Sequence, residues 1–479
     1  MRLSDLLQGC SVLENRCDLN LEITDVAYDS RKVIPGGAFV VISGFQTDGY
    51  CYIDAAMAAG ASVILTDRAP ENQEIPYVLV ENPRQTLAIC GANLFGHPAR
   101  KMKLIGVTGT NGKTTVTYLM KAILESKGAK VGLIGTNQNL IGDRVLETER
   151  TTPESFELQR LLAEMADAGC THVVMEVSSH SLVLDRVYGL EYEVGIFTNL
   201  TQDHLDFHGD METYAKAKSL LFSQCKVGII NDDDAWSDVM TENATCKLYT
   251  YSAKNSRANF MAKNLRFMAD RVEFEALGNN TLGRVVLHIP GEFSVYNALA
   301  VISAAMAMGI ELDDIRAALH LVGGVKGRAE VVPTDTPYTV MIDYAHTPDA
   351  LENILQTVKK VAEGRVIAVF GCGGDRDRTK RPKMAASASK YADFLVITSD
   401  NPRTEDPNAI IEDILPGITL PKKQYVVEPD RRAAIHYAMA NAQPGDIIVL
   451  AGKGHETYQE INHVKHHMDE RELVAEFFE

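Results

Sequence analysis

Residues 108–115 read Thr-Gly-Thr-Asn-Gly-Lys-Thr-Thr, a run suited to holding phosphate. Gly109 and Gly112 let backbone N–H groups approach an anion, with Thr110 and Asn111 between them. Lys113 adds a cation for the terminal phosphates, and Thr114 or Thr115 can place a hydroxyl on Mg²⁺. The common form of the loop has glycine five residues before Gly112; Val107 stands there, so this loop is a variant. The cradle needs a strand to deliver it and a helix whose N-terminal dipole faces the anion. Leu104–Val107 is the expected strand. The apolar residues Val116, Leu119, Met120, Ile123 and Leu124 have helical spacing, and Gly128 supplies a stop.

Other reactive residues follow buried-looking strands in the same way. Glu176 ends an apolar run, where an acid can reach a metal near the phosphate loop; capping the next turn is its ordinary alternative. Residues 198–209 carry two histidines and two aspartates, Asp203 and Asp206. His204 is the better metal candidate; for His208 a solvated or core role is at least as expected as a metal role. Further on, residues 371–377, 400–403 and 452–456 form three polar turns after three strands. Arg376 can fork onto a carboxylate. Together the turns imply a pocket of both charge signs, which is what an amino acid presents. The glycine spacing at 371–374 does not fit a dinucleotide turn. His463, His466 and His467 read as a solvated surface, and Trp236 with Asp232–Asp234 as loop features.

The chain has 479 residues, 46% hydrophobic and 23% charged, enough for about three globular domains. A formal charge of −17 argues against nucleic acid as a partner. No apolar run approaches a membrane span or a signal peptide, so no membrane insertion is expected. Eight scattered cysteines without a C-x-x-C pair fit a reducing cytoplasm. Three α/β blocks are expected: 1–98, a small mixed domain; 99–326, a parallel-sheet domain with the phosphate loop and a hairpin near 272–290; and 327–479, a doubly wound Rossmann-like unit.

Across all three blocks the chain resembles the Mur ligases, which extend the peptide of the peptidoglycan precursor. The resemblance rests on Asp29-Ser30-Arg31, residues 108–115, Thr151-Thr152-Pro153, residues 176–180 and residues 199–209. It continues through Tyr214–Phe222, Gly291–Phe293 with Asn297, Gly327-Arg328 with Glu330, residues 343–348 and the three polar turns. Asp400-Asn401-Pro402-Arg403 matches the form that adds meso-2,6-diaminopimelate to UDP-N-acetylmuramoyl-L-alanyl-D-glutamate; the alternative is the L-lysine-adding ligase of the same family. Diaminopimelate has a far-end carboxylate that Arg403 can pair, and such pairing discriminates strongly.

The resemblance implies an ATP-dependent amide-bond ligase that works through an acyl phosphate, with Mg²⁺; a monomer in the cytoplasm is expected. It places Lys113, Lys218, Glu176 and His204 in catalysis, with Lys218 carbamylated and joining Thr114, Glu176 and His204 as metal ligands. Residues 109–115, Asn297 and Arg328 would contact ATP, and Ser30 the uridine end of the precursor. Thr151, Thr152, Ser178 and Arg186 would hold the muramoyl-peptide portion. Arg376, Asp400, Asn401, Pro402, Arg403, Gly452 and Glu456 would form the amino-acid pocket. Arg150, Leu184 and Ser294 depart from the residues frequent in relatives. A folylpolyglutamate synthetase would lack the Asp29–Arg31 and Asp400–Arg403 patterns, and a nucleotide-binding scaffold would need neither Lys218 nor the third-block pocket.

Overall fold

The computed structural model describes residues 1–44, 47–146, 148, 150–268 and 270–479, with Asp206 described in its backbone alone. The chain forms two compact units: residues 1–261 with 299–311, and residues 262–298 with 312–479.

The first unit holds two sheets. Its N-terminal five-stranded sheet runs Val12–Asn15, Tyr77–Val80, Val63–Thr66, Ala38–Val40, Val26–Ala27. The last four strands are parallel, and Val12–Asn15 is antiparallel to its neighbour. Val63–Thr66 is buried throughout, as a parallel strand covered on both faces must be. The helix Pro83–Leu94 starts where the Asn82 side chain accepts the N–H groups of Arg84 and Gln85, with proline at its first turn. Phe156, from the helix Ser155–Asp167, is buried in the core of this sheet and joins the two layers.

The larger sheet of the unit orders Lys247–Ser252, Cys225–Asn231, Tyr192–Phe197, Lys103–Thr108, His172–Glu176 and Val131–Ile134 in parallel. Lys103–Thr108 has a later strand on each side, so its carboxyl end opens at a switch in strand order, where ligands of such sheets gather. The helix Lys113–Ser126 follows directly. Its expected apolar positions, Val116 to Leu124, are all buried, and Gly128 takes the left-handed conformation after it.

The second unit is built on a six-stranded sheet: Glu330–Val332, Thr339–Asp343, Ile447–Ala451, Val366–Phe370, Phe394–Ile397, Tyr425–Val427. Only Glu330–Val332 is antiparallel. The helix Pro348–Lys359, capped by Thr347, buries Leu351, Ile354, Leu355 and Val358 as its spacing predicts. Each such side chain contributes about 1.5–3 kcal/mol by leaving water, as an upper estimate. The expected hairpin is Val272–Gly278 against Thr281–Leu287. A separate ribbon pairs Tyr458–Ile461 with Val464–His467; Asn462 and His463 at its tip both have positive φ, the signature of a tight primed turn. The α/β class, the strand expected over Leu104–Val107 and the hairpin expected near 272–290 are thus observed. Among the described residues no helix is long and apolar enough to cross a membrane.

Candidate active site

The phosphate loop is held from one side by the end of the neighbouring strand. Thr198 Oγ1 donates to the Asn111 carbonyl at 2.7 Å, and Asn199 Oδ1 accepts the Asn111 N–H at 3.0 Å. The Thr110 N–H donates to the Asn199 carbonyl at 2.8 Å. This close approach explains Gly109: its φ is +143°, and a Cβ there would lie 2.0 Å from Thr198 Oγ1. Gly112, at φ +86°, turns the chain into the helix.

Two lysines meet at this loop. Lys113 Nζ donates to the carbonyls of Gly109 and Thr110 at 3.0 and 2.8 Å. Lys218 Nζ, from the helix Met211–Ser219, donates to the same Gly109 carbonyl at 2.9 Å and lies over the Tyr214 ring. Lys218 is 2% exposed. Burial, and then the neighbouring Lys113, hold its pKa well below the ordinary lysine value. A lysine so placed is driven towards the neutral amine.

Glu176 is brought to the loop as well. Its Oε1 accepts from Thr114 Oγ1 at 2.9 Å and from the Thr136 N–H at 3.0 Å, while Oε2 accepts from Thr136 Oγ1. The carboxylate therefore caps the turn at Thr136, the ordinary role weighed from sequence, and also reaches Thr114 on the phosphate loop. His204 is exposed, at φ +53°, near Asp203. Its ring centroid lies 4.9 Å from His180 and 6.2 Å from Tyr214, the ring that Lys218 faces. His208 is buried against Ser179 Oγ at 2.9 Å and is a core histidine. The side chain of Asp206 lies outside the described residues. Among the described residues no three His, Cys, Asp or Glu side chains converge, so a metal here would draw on Thr114 and Lys218 too.

Thr152 is buried, donating from Oγ1 to the Glu176 carbonyl at 2.8 Å and accepting the Ser178 N–H. Thr151 Oγ1 pairs with Thr136 Oγ1 at 3.0 Å, and Ser178 caps the short helix Ser179–Val183. Arg186 is anchored by Glu154 at 2.7 Å, which also pairs Arg150 at 2.6 Å and has Arg84 at 3.9 Å. Three guanidiniums around one carboxylate leave a cationic surplus. Ser30 opens a 3₁₀ turn capped by Asp29, whose carboxylate takes the Arg31 guanidinium.

In the second unit the polar turns assemble at one sheet edge. Asp400 and Asn401 are buried; a Cβ on Gly452, at φ +110°, would lie 2.6 Å from Asp400 Oδ2. Lys453, fully buried, donates to Asn401 Oδ1 at 2.8 Å and Glu456 Oε2 at 2.6 Å, and Asn401 Nδ2 donates to the same Glu456 oxygen. Arg403 has φ +50°, a strained conformation for a side chain of this size. Its Nε donates to Glu460 Oε2 and its Nη1 to the Gly374 carbonyl. Pro402 is buried between Asn401 and Arg403, whereas Arg376 is exposed and donates to the Asp375 carbonyl. Beneath the turns, the fully buried Arg431 pairs with Glu470 and donates to the carbonyls of Ser399 and Ala451, the residues just before Asp400 and Gly452. Arg328 lies over the Tyr344 ring, and Asn297 is buried on the helix Glu292–Ala307. The His455 ring lies 4.8 Å from the Tyr344 ring, tilted against it, and its pKa is pushed down to about 3, by burial first and then by nearby Arg328.

Sequence reasoning missed Thr136, Glu154, Lys453 and Glu460. Lys453 and Glu456 are three residues apart in a turn already singled out, a signal that was available. Glu460 is 57 residues from Arg403, and no local pattern announces it.

Comparison with known proteins gives the chain's relatives. Residues 22–89 match the Mur ligase family catalytic domain, 107–305 the Mur ligase middle domain, and 327–454 the Mur ligase glutamate ligase domain. A relative from Caldanaerobacter subterraneus subsp. tengcongensis, named UDP-N-acetylmuramoyl-L-alanyl-D-glutamate–2,6-diaminopimelate ligase, is 50% identical over 99% of this chain and 98% of its own. A relative of the same name from Clostridioides difficile is 45% identical over 99% of each chain. A solved structure of a ligase so named superposes with a TM-score of 0.74 at 33% identity, covering 100% of this chain and 98% of its own. With three family domains matched in order and near full-length relatives at this identity, the chain belongs to the Mur ligase family.

Proposed function

We propose that this protein joins meso-2,6-diaminopimelate to UDP-N-acetylmuramoyl-L-alanyl-D-glutamate at the expense of ATP, in cytoplasmic synthesis of the peptidoglycan precursor. The observation that carries the reading is the Arg403 guanidinium, held at Nε and Nη1 while Nη2 has no partner among the described residues. A cation so presented suits a substrate with a carboxylate at its far end, which L-lysine lacks. The names of the relatives support the same substrate.

A carboxylate does not condense with an amine at neutral pH, so it must first be activated. The D-glutamyl γ-carboxylate takes the γ-phosphoryl group of ATP, giving an acyl phosphate and ADP. The amine of diaminopimelate attacks the acyl carbon, its nitrogen gives up a proton as the amide forms, and phosphate leaves with the C–O bond electrons and takes up that proton. The protein's part is positioning and charge neutralisation. Gly109–Thr115 present backbone N–H groups and the Lys113 ammonium to the nucleotide, with Asn297 and Arg328 as its other contacts. Ser30 takes the uridine end of the precursor; Thr151, Thr152, Ser178 and Arg186 take the muramoyl-peptide portion. Arg376, Asp400, Asn401, Pro402, Arg403, Gly452 and Glu456 line the amino-acid pocket.

Mg²⁺ would supply charge that offsets the phosphates, held by Thr114, Glu176, His204 and a carbamylated Lys218. The residues fit it: Thr114 and Glu176 put two oxygen donors 2.9 Å apart, as a hard cation prefers. Lys218 fits carbamylation because burial and Lys113 favour its neutral, nucleophilic amine, and Lys113 would then offset the new negative charge.

The test is ATP-dependent phosphate release with the UDP-muramoyl-dipeptide, comparing diaminopimelate with L-lysine. Release that needs the precursor and strongly prefers diaminopimelate is expected. Equal use of lysine would overturn the substrate, and release without the precursor would overturn the reaction.

A further inference from the structure

We infer that Glu460 is a positioning residue that gives Arg403 its selectivity for a far-end carboxylate. The inference rests on the reading above that Arg403 meets that carboxylate. Residue 460 grips Arg403 at both ends. Its carbonyl accepts the Arg403 N–H at 3.0 Å, and its Oε2 accepts from Arg403 Nε at 3.1 Å. The next contacts continue the grip: the Asn462 N–H donates to the Arg403 carbonyl at 2.8 Å, and Ile461 bridges Arg403 in parallel. The ribbon also reaches the start of the turn. Gln459 Nε2 donates to the Asp400 carbonyl at 2.7 Å, and the Glu460 N–H donates to Asn401 Oδ1 at 2.8 Å.

An arginine side chain is long and flexible, and its five donors lie in one plane. With Nε fixed by Glu460 and Nη1 by the Gly374 carbonyl at 2.9 Å, the plane is set and the Nη2 edge is presented to an incoming group. Affinity gained by such preorganisation applies only to a ligand that uses the presented edge. Diaminopimelate uses it and lysine does not. Glu460 therefore acts on the ratio of the two substrates rather than on the chemical step.

The test is steady-state kinetics of the full-length enzyme with the natural precursor, using Glu460→Ala, Glu460→Gln and Arg403→Ala. Glu460→Ala is expected to raise KM for diaminopimelate about tenfold, the size of one lost hydrogen bond to a charged group. kcat and the KM values for ATP and precursor should stay unchanged, and the preference over lysine should fall by the same factor. Glu460→Gln keeps an acceptor for Nε and should recover most of the loss. An unchanged preference in Glu460→Ala, with Arg403→Ala still impaired, would overturn the inference and leave the proposed function standing. A parallel rise in every KM would assign Glu460 a structural role only, which also overturns it. Wild-type enzyme without preference for diaminopimelate would overturn the proposed function and this inference with it.

Discussion

At the loop 108–115 charge is handled by the main chain, while at 400–403 and 452–456 it is handled by side chains. Both sites lie at carboxyl ends of parallel strands. The first offers carbonyls and N–H groups around Gly109 and keeps a buried lysine, Lys218, inclined to be neutral. The second encloses full ionic pairs: Lys453 with Glu456, Arg403 with Glu460, Arg431 with Glu470. A backbone cradle suits phosphate, whose oxygens are alike in every direction. Fixed pairs suit an amino acid, whose charges sit at defined separations.

The contrast breaks most severely at the base of the second site. Replacing Glu470 with alanine leaves Arg431 buried without its partner and should cost about 3–5 kcal/mol of stability. Denaturant unfolding measures it, and the loss should appear in the second unit. At the first site, Lys113→Ala removes the loop's cation and should lower kcat by about a hundred- to a thousand-fold, with the fold intact by circular dichroism. Gly109→Ala tests the main-chain cradle alone. Its Cβ meets Thr198 and the backbone is forced, so nucleotide binding should weaken by about 1–3 kcal/mol, read by calorimetric titration.

The smallest effect concerns pH. The Arg381 guanidinium, and then the Asp375 N–H, hold the Glu405 carboxyl down at about 2, against 4.5 ordinarily. A carboxyl lowered on folding stabilises the native state above its unfolded value, and that contribution fades as pH falls from about 4.5 towards about 2. Glu405→Gln should therefore flatten acid unfolding in this window and leave behaviour at pH 7 governed by the lost bond alone. An acid profile identical to wild type would show that the pair is screened.

The two sites also differed in how far the sequence disclosed them. The phosphate loop is contiguous, and its strand, glycines, lysine and helix repeat lie within about two dozen residues, so local rules recover it. The helix Pro83–Leu94 is equally legible, from the cap residue Asn82 and the proline that follows it. The second site is assembled by pairs such as Arg403 with Glu460 and Arg431 with Glu470, 57 and 39 residues apart. Charge pairs at such separations follow no period, and only the folded sheet reveals them. Glu154 escaped for a related reason, since its three arginines come from residues 84, 150 and 186.

The ribbon Tyr458–His467 has a consequence for order in the second unit. Two strands alone are marginal in water. The bonds from Gln459 to Asn462 that reach the turn at 400–403 supply much of what the ribbon lacks, and the same bonds hold Arg403 at its positive φ. Ribbon and turn should then open and close as one cooperative unit, below the threshold for unfolding the sheet. The Asn462 amide becomes a reporter: its hydrogen-exchange rate measures how often Arg403 is released.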